Sequence, residues 1–288
     1  MHTYIQLDGV IMFSDILTPL PAMGVDFIII PNKGPKIANP IRTKADIDNI
    51  KPLYDVAKQV PFISKILSSL RKETEGKTSL IGFIGAPWTL AAYSVEGGHS
   101  KICPNFKRMC LEEPVMAHTF LSKYTDSLCL YASHQIDSGA QILQIFESWA
   151  HHMSEEQFLT FAKPYVQRIA LYLKQKHPSV PVVYFANGGS AYIQQQLDLP
   201  VDGFSIDWQI SMASARKLAG PKKVLAGNVD PVTLYGSESN IRAAVHECIR
   251  QGGKHHVLNL GHGIEKDTDE SKVAVFVDEA RKSYREVI

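Results

Sequence analysis

Gln141-Ile142-Leu143-Gln144-Ile145-Phe146-Glu147-Ser148 is short, apolar on both of its alternating faces, and closed by two polar residues. A strand with both faces apolar is covered on each side, which is the condition of a parallel sheet. Ahead of it, Leu121, Tyr124, Leu128 and Ala132 recur at helical spacing, and Gly139 follows as a stop. Behind it, Ser154 and Gln157 have the spacing of a capping box. Phe158, Phe161, Tyr165, Ile169 and Tyr172 then continue at helical spacing. Helix, strand, helix is the local signature of an α/β chain.

The same alternation runs through the rest of the sequence. It predicts strands at Val10–Asp15, Ser79–Gly85, Val180–Ala186, Gly203–Asp207, Lys223–Val229 and His256–His262 in addition to Gln141–Ser148. Val25–Ile30 is a further apolar run, read as a side hairpin. Ser237 is placed to cap a helix through Ile249 that Gly252 and Gly253 stop, and a last helix is expected from Glu270 onward. No long polar linker interrupts the series, so a single α/β domain over residues 1–288 is expected. No G-x-G-x-x-G follows a strand, which argues against a dinucleotide-binding open sheet. The remaining architecture is a TIM-type (β/α)8 barrel, and the strand count is one short of closure.

Composition narrows the function classes. The 288 residues are 45% hydrophobic and 20% charged, with a formal net charge of +1. That gives no global field favouring nucleic acid or a membrane surface, so an anionic ligand must be held by local donors. No apolar run approaches the length of a membrane helix. Cys103, Cys110, Cys129 and Cys248 have no C-x-x-C spacing, and Met1-His2-Thr3-Tyr4 is neither a signal nor a transit peptide. They are read as reduced, buried thiols of an intracellular protein.

The chemistry is expected where the apolar strands stop. Asp15, Glu147, Ser148, Asp207, Asn228, Asp230 and His262 all stand at such ends. The rim of strand ends is where (β/α)8 enzymes carry out catalysis. Each residue also has a plain structural reading. Asp15, Asp207 and Asp230 can cap turns or helices, Glu147 can pair with a buried cation, and His262 between two glycines can sit in a turn.

At these same segments the sequence resembles the uroporphyrinogen decarboxylase family. The matching blocks are Phe13-Ser14-Asp15-Ile16-Leu17, Gly82-Phe83-Ile84-Gly85-Ala86-Pro87-Trp88-Thr89-Leu90, Val95-Glu96-Gly97-Gly98, Phe146-Glu147-Ser148, Gly227-Asn228-Val229-Asp230-Pro231 and Asn259-Leu260-Gly261-His262-Gly263. The resemblance implies a (β/α)8 barrel, usually a homodimer, that removes four acetate carboxyls from uroporphyrinogen without metal or organic cofactor. It implies that Asp15 accepts hydrogen bonds from the pyrrole N–H groups at the centre of the tetrapyrrole. It further implies that Tyr93, Ser148 and His262 bind substrate, and that Phe146 lines the cleft.

Family members begin well before the position matching Met1, and that part carries a block of the type R-Q-A-G-R-Y whose two arginines bind substrate carboxylates. Arg42, Arg71 and Arg108 sit in no comparable motif. The expectation is a chain lacking the first barrel strand and poorly active as it stands. Two other readings compete. One is a non-catalytic tetrapyrrole binder. The other is a corrinoid or coenzyme M methyltransferase of the same fold, whose zinc-binding H-x-C pair has no counterpart in Val183-Tyr184-Phe185-Ala186-Asn187. The wording of residues 227–236 and 259–266 resembles plant and algal members, so the expected compartment is cytoplasm or plastid.

Overall fold

The computed structural model describes residues 6–31 and 34–287. All seven predicted parallel strands are present, as β1 (Gly9–Ile11), β4 (Ser79–Gly85), β5 (Ile142–Glu147), β6 (Val182–Ala186), β7 (Gly203–Ser205), β8 (Val224–Val229) and β9 (His256–Leu260). The side hairpin is β2 (Phe27–Ile30) against β3 (Gly34–Ile37), antiparallel, with Phe27 opposite Ile37. The chain divides into two compact units, one of residues 9–182 and one of residues 183–288 with the stretch before Gly9.

In the 9–182 unit, β1 pairs with β4 and β4 with β5, all parallel. Parallel neighbours need a crossover, and long helices supply it. Between β4 and β5 the chain forms helices at Pro87–Glu96, Pro104–Glu112 and Pro114–Asp137. Each opens with proline, which lacks the N–H a first helical turn cannot satisfy. Trp88, Tyr124, Phe106, Phe120 and Phe158 are the aromatic fully buried side chains of this unit. Burying a side chain of this kind contributes about 1.5–3 kcal/mol each. The Ser154 capping box is formed, with Gln157 N–H donating to the Ser154 hydroxyl at 3.2 Å and Gln157 Oε1 accepting from Ser154 N–H at 3.2 Å.

In the 183–288 unit, β6, β7, β8 and β9 pair in sequence order, all parallel, with Asn228 beside Asn259. Ser237 caps the helix Glu238–Gly252 as expected, accepting from Asn240 N–H. The last helix runs Glu270–Val287.

Four strands stop earlier than the sequence suggested, among them Gln141–Ser148 at Glu147 and Gly203–Asp207 at Ser205. The run Val10–Asp15 is strand only to Ile11, because Asp15 is taken up by a turn: its carboxylate accepts from Leu17 N–H at 2.8 Å and its carbonyl from Thr18 N–H at 3.1 Å. The run His256–His262 leaves the sheet after Leu260, where Gly261 passes close to Trp208. A Cβ on Gly261 would lie 2.4 Å from the Trp208 nitrogen, so only glycine allows that approach.

Candidate functional site

The 9–182 unit carries four of the five site residues that the family resemblance implies, Asp15, Phe146 and Ser148 at or just past the ends of β1 and β5 and Tyr93 on the helix after β4. Asp15 follows β1 in a half-buried turn. Gly85 ends β4, and a Cβ there would meet Leu90 at 2.8 Å and Ile16 at 3.2 Å. The first glycine of the Gly85-Ala86-Pro87-Trp88 block therefore lets the Asp15–Ile16 turn close onto the β4 end.

Tyr93 stands on the helix Pro87–Glu96, one turn beyond Thr89 and so on the same face. Its ring packs on Trp149 with centroids 4.1 Å apart. Burial pushes the Tyr93 phenol up, and the nearby Asp15 carboxylate adds to the rise. The Asp15 carboxylate thus helps to hold the proton on Tyr93.

Strand alternation sorts the β5 end. Leu143, Ile145 and Glu147 point to one face and are fully buried. Gln144 and Phe146 point to the other, and Ser148, one residue past the strand, continues that series. Phe146 and Ser148 are half-buried, and Phe146 meets Phe83 of β4 edge-on at 5.7 Å between centroids.

Glu147 has no cation partner among the described residues. Its Oε1 accepts from Thr89 N–H at 2.9 Å and from the Thr89 hydroxyl. Its Oε2 is buried with no hydrogen-bond partner among the described residues. Burial raises its carboxyl to about 8, against the two Thr89 hydrogen bonds. The cation pairing expected for Glu147 is corrected accordingly: a neutral carboxylic acid at physiological pH needs no counter-charge. No sequence signal marks this, because the partner is an uncharged threonine 58 positions away.

In the 183–288 unit the strand-end polar groups bond mostly to the backbone. Asp207 accepts from Gln209 N–H at 2.8 Å and from the Ser190 hydroxyl. Asn228 donates to the carbonyls of Asp207 at 2.8 Å and Ile210 at 2.6 Å. Asp230 caps the turn of Pro231–Tyr235 by accepting from Val232 N–H at 3.0 Å. His262 is half-buried, with Nδ1 2.8 Å from the Gly263 carbonyl. That bond places the proton on Nδ1 in the neutral ring and leaves Nε2 on the opposite side.

The four cysteines are free and buried. Burial holds their thiols high, Cys110 at about 12 and Cys248 at about 11, so they act as small apolar side chains. Among the described residues, no three His, Cys, Asp or Glu side chains come together in a way that could hold a metal ion, and no helix is long and apolar enough to cross a membrane.

Parallel strands joined by helices, with polar side chains at their C-terminal ends, define an enzyme of the (β/α) barrel class. In shape the chain is similar to a methyltransferase from Methanosarcina mazei, with a TM-score of 0.81 and 20% identity, covering 96% of this chain and 81% of that one. That likeness speaks to the fold. The uroporphyrinogen decarboxylase (URO-D) family model matches residues 1–283. The uroporphyrinogen decarboxylase of Crocosphaera subtropica is 44% identical over 96% of this chain and 78% of its own length. That of Microcystis aeruginosa is 44% identical over 98% of this chain and 81% of its own length. The chain belongs to the uroporphyrinogen decarboxylase family, a family of carboxy-lyases.

Proposed function

We propose that this protein converts uroporphyrinogen to coproporphyrinogen by removing its four acetate carboxyls. The observation that carries the reading is the 44% identity, over nearly the whole chain, to decarboxylases of that name. The site supports it through the Asp15 carboxylate, whose charge helps to raise the Tyr93 phenol.

Losing CO₂ from an acetate arm leaves an electron pair that needs a destination. A proton added to the adjoining pyrrole carbon makes the ring cationic. The C–COO⁻ bond then breaks, CO₂ leaves, and its bonding pair neutralises the ring and forms an exocyclic methylene. A proton added to that methylene gives the methyl group, and the first proton is lost from the ring. The net change is one proton taken up and one CO₂ released for each arm.

Asp15 is proposed as the anion that accepts the pyrrole N–H groups and stabilises the cationic ring as its charge develops. Tyr93 and Ser148 are proposed donors to the outer carboxylates, orienting one acetate at a time. Phe146 is proposed to give an apolar wall to the tetrapyrrole, and His262 to serve as a further carboxylate donor through Nε2, which requires a proton on both ring nitrogens because Nδ1–H is engaged by Gly263. A homodimer in the cytoplasm or a plastid belongs to the same proposal. Sedimentation of the purified protein and imaging of a tagged copy check those two points.

The direct test is anaerobic incubation with uroporphyrinogen III, followed by oxidation and separation of products by carboxyl number. Residues 1–288 are assayed alone and with the N-terminal segment of a cyanobacterial relative joined ahead of Met1. Four-carboxyl product from either form supports the reading. Tight binding of the tetrapyrrole with no product from either, in folded protein, replaces it with a non-catalytic binder.

A further inference from the structure

The mechanism above makes no use of Glu147, although it is the most deeply buried carboxyl at the β5 end and stands directly before Ser148. Its side chain points away from the face of Phe146 and Ser148, so it does not reach a ligand held there. What it does reach is the first turn of the helix that carries Tyr93. The N-cap residue of that helix, Ala86, supplies no side-chain cap. The Glu147 carboxyl takes that role from across the sheet, accepting the N–H of Thr89, the third helical residue.

The Thr89 hydroxyl extends the connection. Its proton goes to Glu147, and its oxygen accepts from Trp149 N–H at 3.2 Å. One turn further along the helix, Tyr93 lies against the Trp149 ring. The result is a closed circuit. It runs from Glu147 through Thr89 and the helix to Tyr93, across the ring stack to Trp149, and back along two residues of backbone past Ser148. Both of the proposed donors of this unit, Tyr93 and Ser148, are members of the circuit or are enclosed by it.

We propose that Glu147 is a positioning residue that sets Tyr93 and Ser148 relative to each other, through Thr89 and Trp149, without touching substrate. This rests on the decarboxylase reading for its kinetic consequence but not for its geometry. Two chemical requirements follow. The group at position 147 must present one acceptor to two Thr89 donors, which a neutral amide does as well as a carboxyl. The group at position 89 must both donate and accept, which serine does and valine does not.

The experiment uses Glu147→Gln, Glu147→Ala, Thr89→Ser and Thr89→Val in whichever of the two forms above turns over. The readouts are kcat and KM, measured separately, and the near-ultraviolet circular dichroism of the Tyr93–Trp149 pair, assigned from Tyr93→Phe and Trp149→Phe difference spectra. Glu147→Gln and Thr89→Ser are expected to keep the dichroic signal and most of kcat. Glu147→Ala and Thr89→Val are expected to lose that signal and about tenfold or more in kcat, a size typical of a misoriented bound substrate. Thr89→Val is close to isosteric, so it decides the matter even if the Glu147→Ala protein does not fold.

Wild-type kcat and dichroism in Thr89→Val would overturn the proposal. So would a Glu147→Gln protein as impaired as Glu147→Ala, since that would assign Glu147 a charge or a proton-transfer role. If the wild-type protein itself yields no product, the decarboxylase reading fails. The dichroism of the four variants then still supports or sinks the circuit.

Discussion

The strand ends of residues 9–182 and those of residues 183–288 carry similar residue types and use them differently. In the 183–288 unit, Asp230 caps its own turn, Asp207 accepts from Gln209 N–H and the Ser190 hydroxyl, and Asn228 donates to the carbonyls of Asp207 and Ile210 on the neighbouring loop. In the 9–182 unit, the carboxyl of Glu147 reaches across the sheet to hold another element, and Asp15 is close enough to Tyr93 to shift its phenol. A polar residue at a strand end is therefore not evidence of chemistry by itself. The distinction lies in whether its hydrogen bonds are consumed by its own loop or organise other side chains.

The largest effect is expected at Asp15. Asp15→Asn keeps an oxygen for Leu17 N–H, so the turn survives, but removes the charge that would face a cationic ring. A loss of about 10²–10³ in kcat is expected, the size seen when preorganised electrostatic stabilisation is removed, with an unchanged melting temperature. An Asp15→Asn protein that is fully active but unstable would make Asp15 a turn residue like Asp230 and abolish the contrast between the two units.

Glu147 gives the next effect, on stability. Its folded-state carboxyl stands at about 8 against an ordinary value of 4.5. Between those two values the folded protein binds more protons than the unfolded chain, so stability falls as pH rises. The contribution is complete below about 4.5 and lost through about 8. The slope is at most about 1.4 kcal/mol per pH unit, so about 2 kcal/mol is expected to disappear between pH 6 and 8. Urea unfolding of wild type and Glu147→Gln at those two pH values checks it. Only wild type should carry the slope, and parallel curves would show that Glu147 is ionised in the folded state.

His262 comes third. It is the strand-end residue of the 183–288 unit with a hydrogen-bonding ring nitrogen beyond the one engaged with Gly263. His262→Ala is expected to raise KM about tenfold, the worth of a single hydrogen bond to a charged group, with kcat less affected. A normal KM would leave this unit's strand ends with structural duties alone.

Much of this was open to reading in the sequence, for physical reasons. Apolar runs such as Ile142–Phe146 are buried on both faces, and hydrophobicity is what a sequence displays most directly. The Ser154–Gln157 and Ser237 caps were legible because a cap and its partner lie within one helical turn. The end of β1 was not, since Val10–Asp15 has strand-like composition throughout and only the local bonds of Asp15 divert the chain after Ile11. The partner of Glu147 and the stack of Tyr93 on Trp149 join positions 56 to 58 residues apart. Nothing in the spacing of such residues marks them, and a buried carboxyl invites the assumption of a cation. What decides the matter is burial deep enough to hold the proton on, which is a property of the folded chain.

Asp230 gives the smallest effect and the sharpest control. It stands in the Gly227–Pro231 block, one of the segments that carry the family resemblance, and it ends a strand as Glu147 does. Its carboxylate accepts from Val232 N–H, two residues on, and so caps its own turn. Removing such a cap costs about 1 kcal/mol. Asp230→Ala should therefore lower the unfolding free energy by about that amount, with kcat and KM unchanged, while Asp230→Asn should restore the loss because an amide oxygen caps as well. A fall in kcat shared by Asp230→Ala and Asp230→Asn would mean that charge at this position acts on the reaction. The rule separating Asp230 from Glu147, by whether a strand-end group serves its own loop or another element, would then be wrong at the position where it makes its plainest statement.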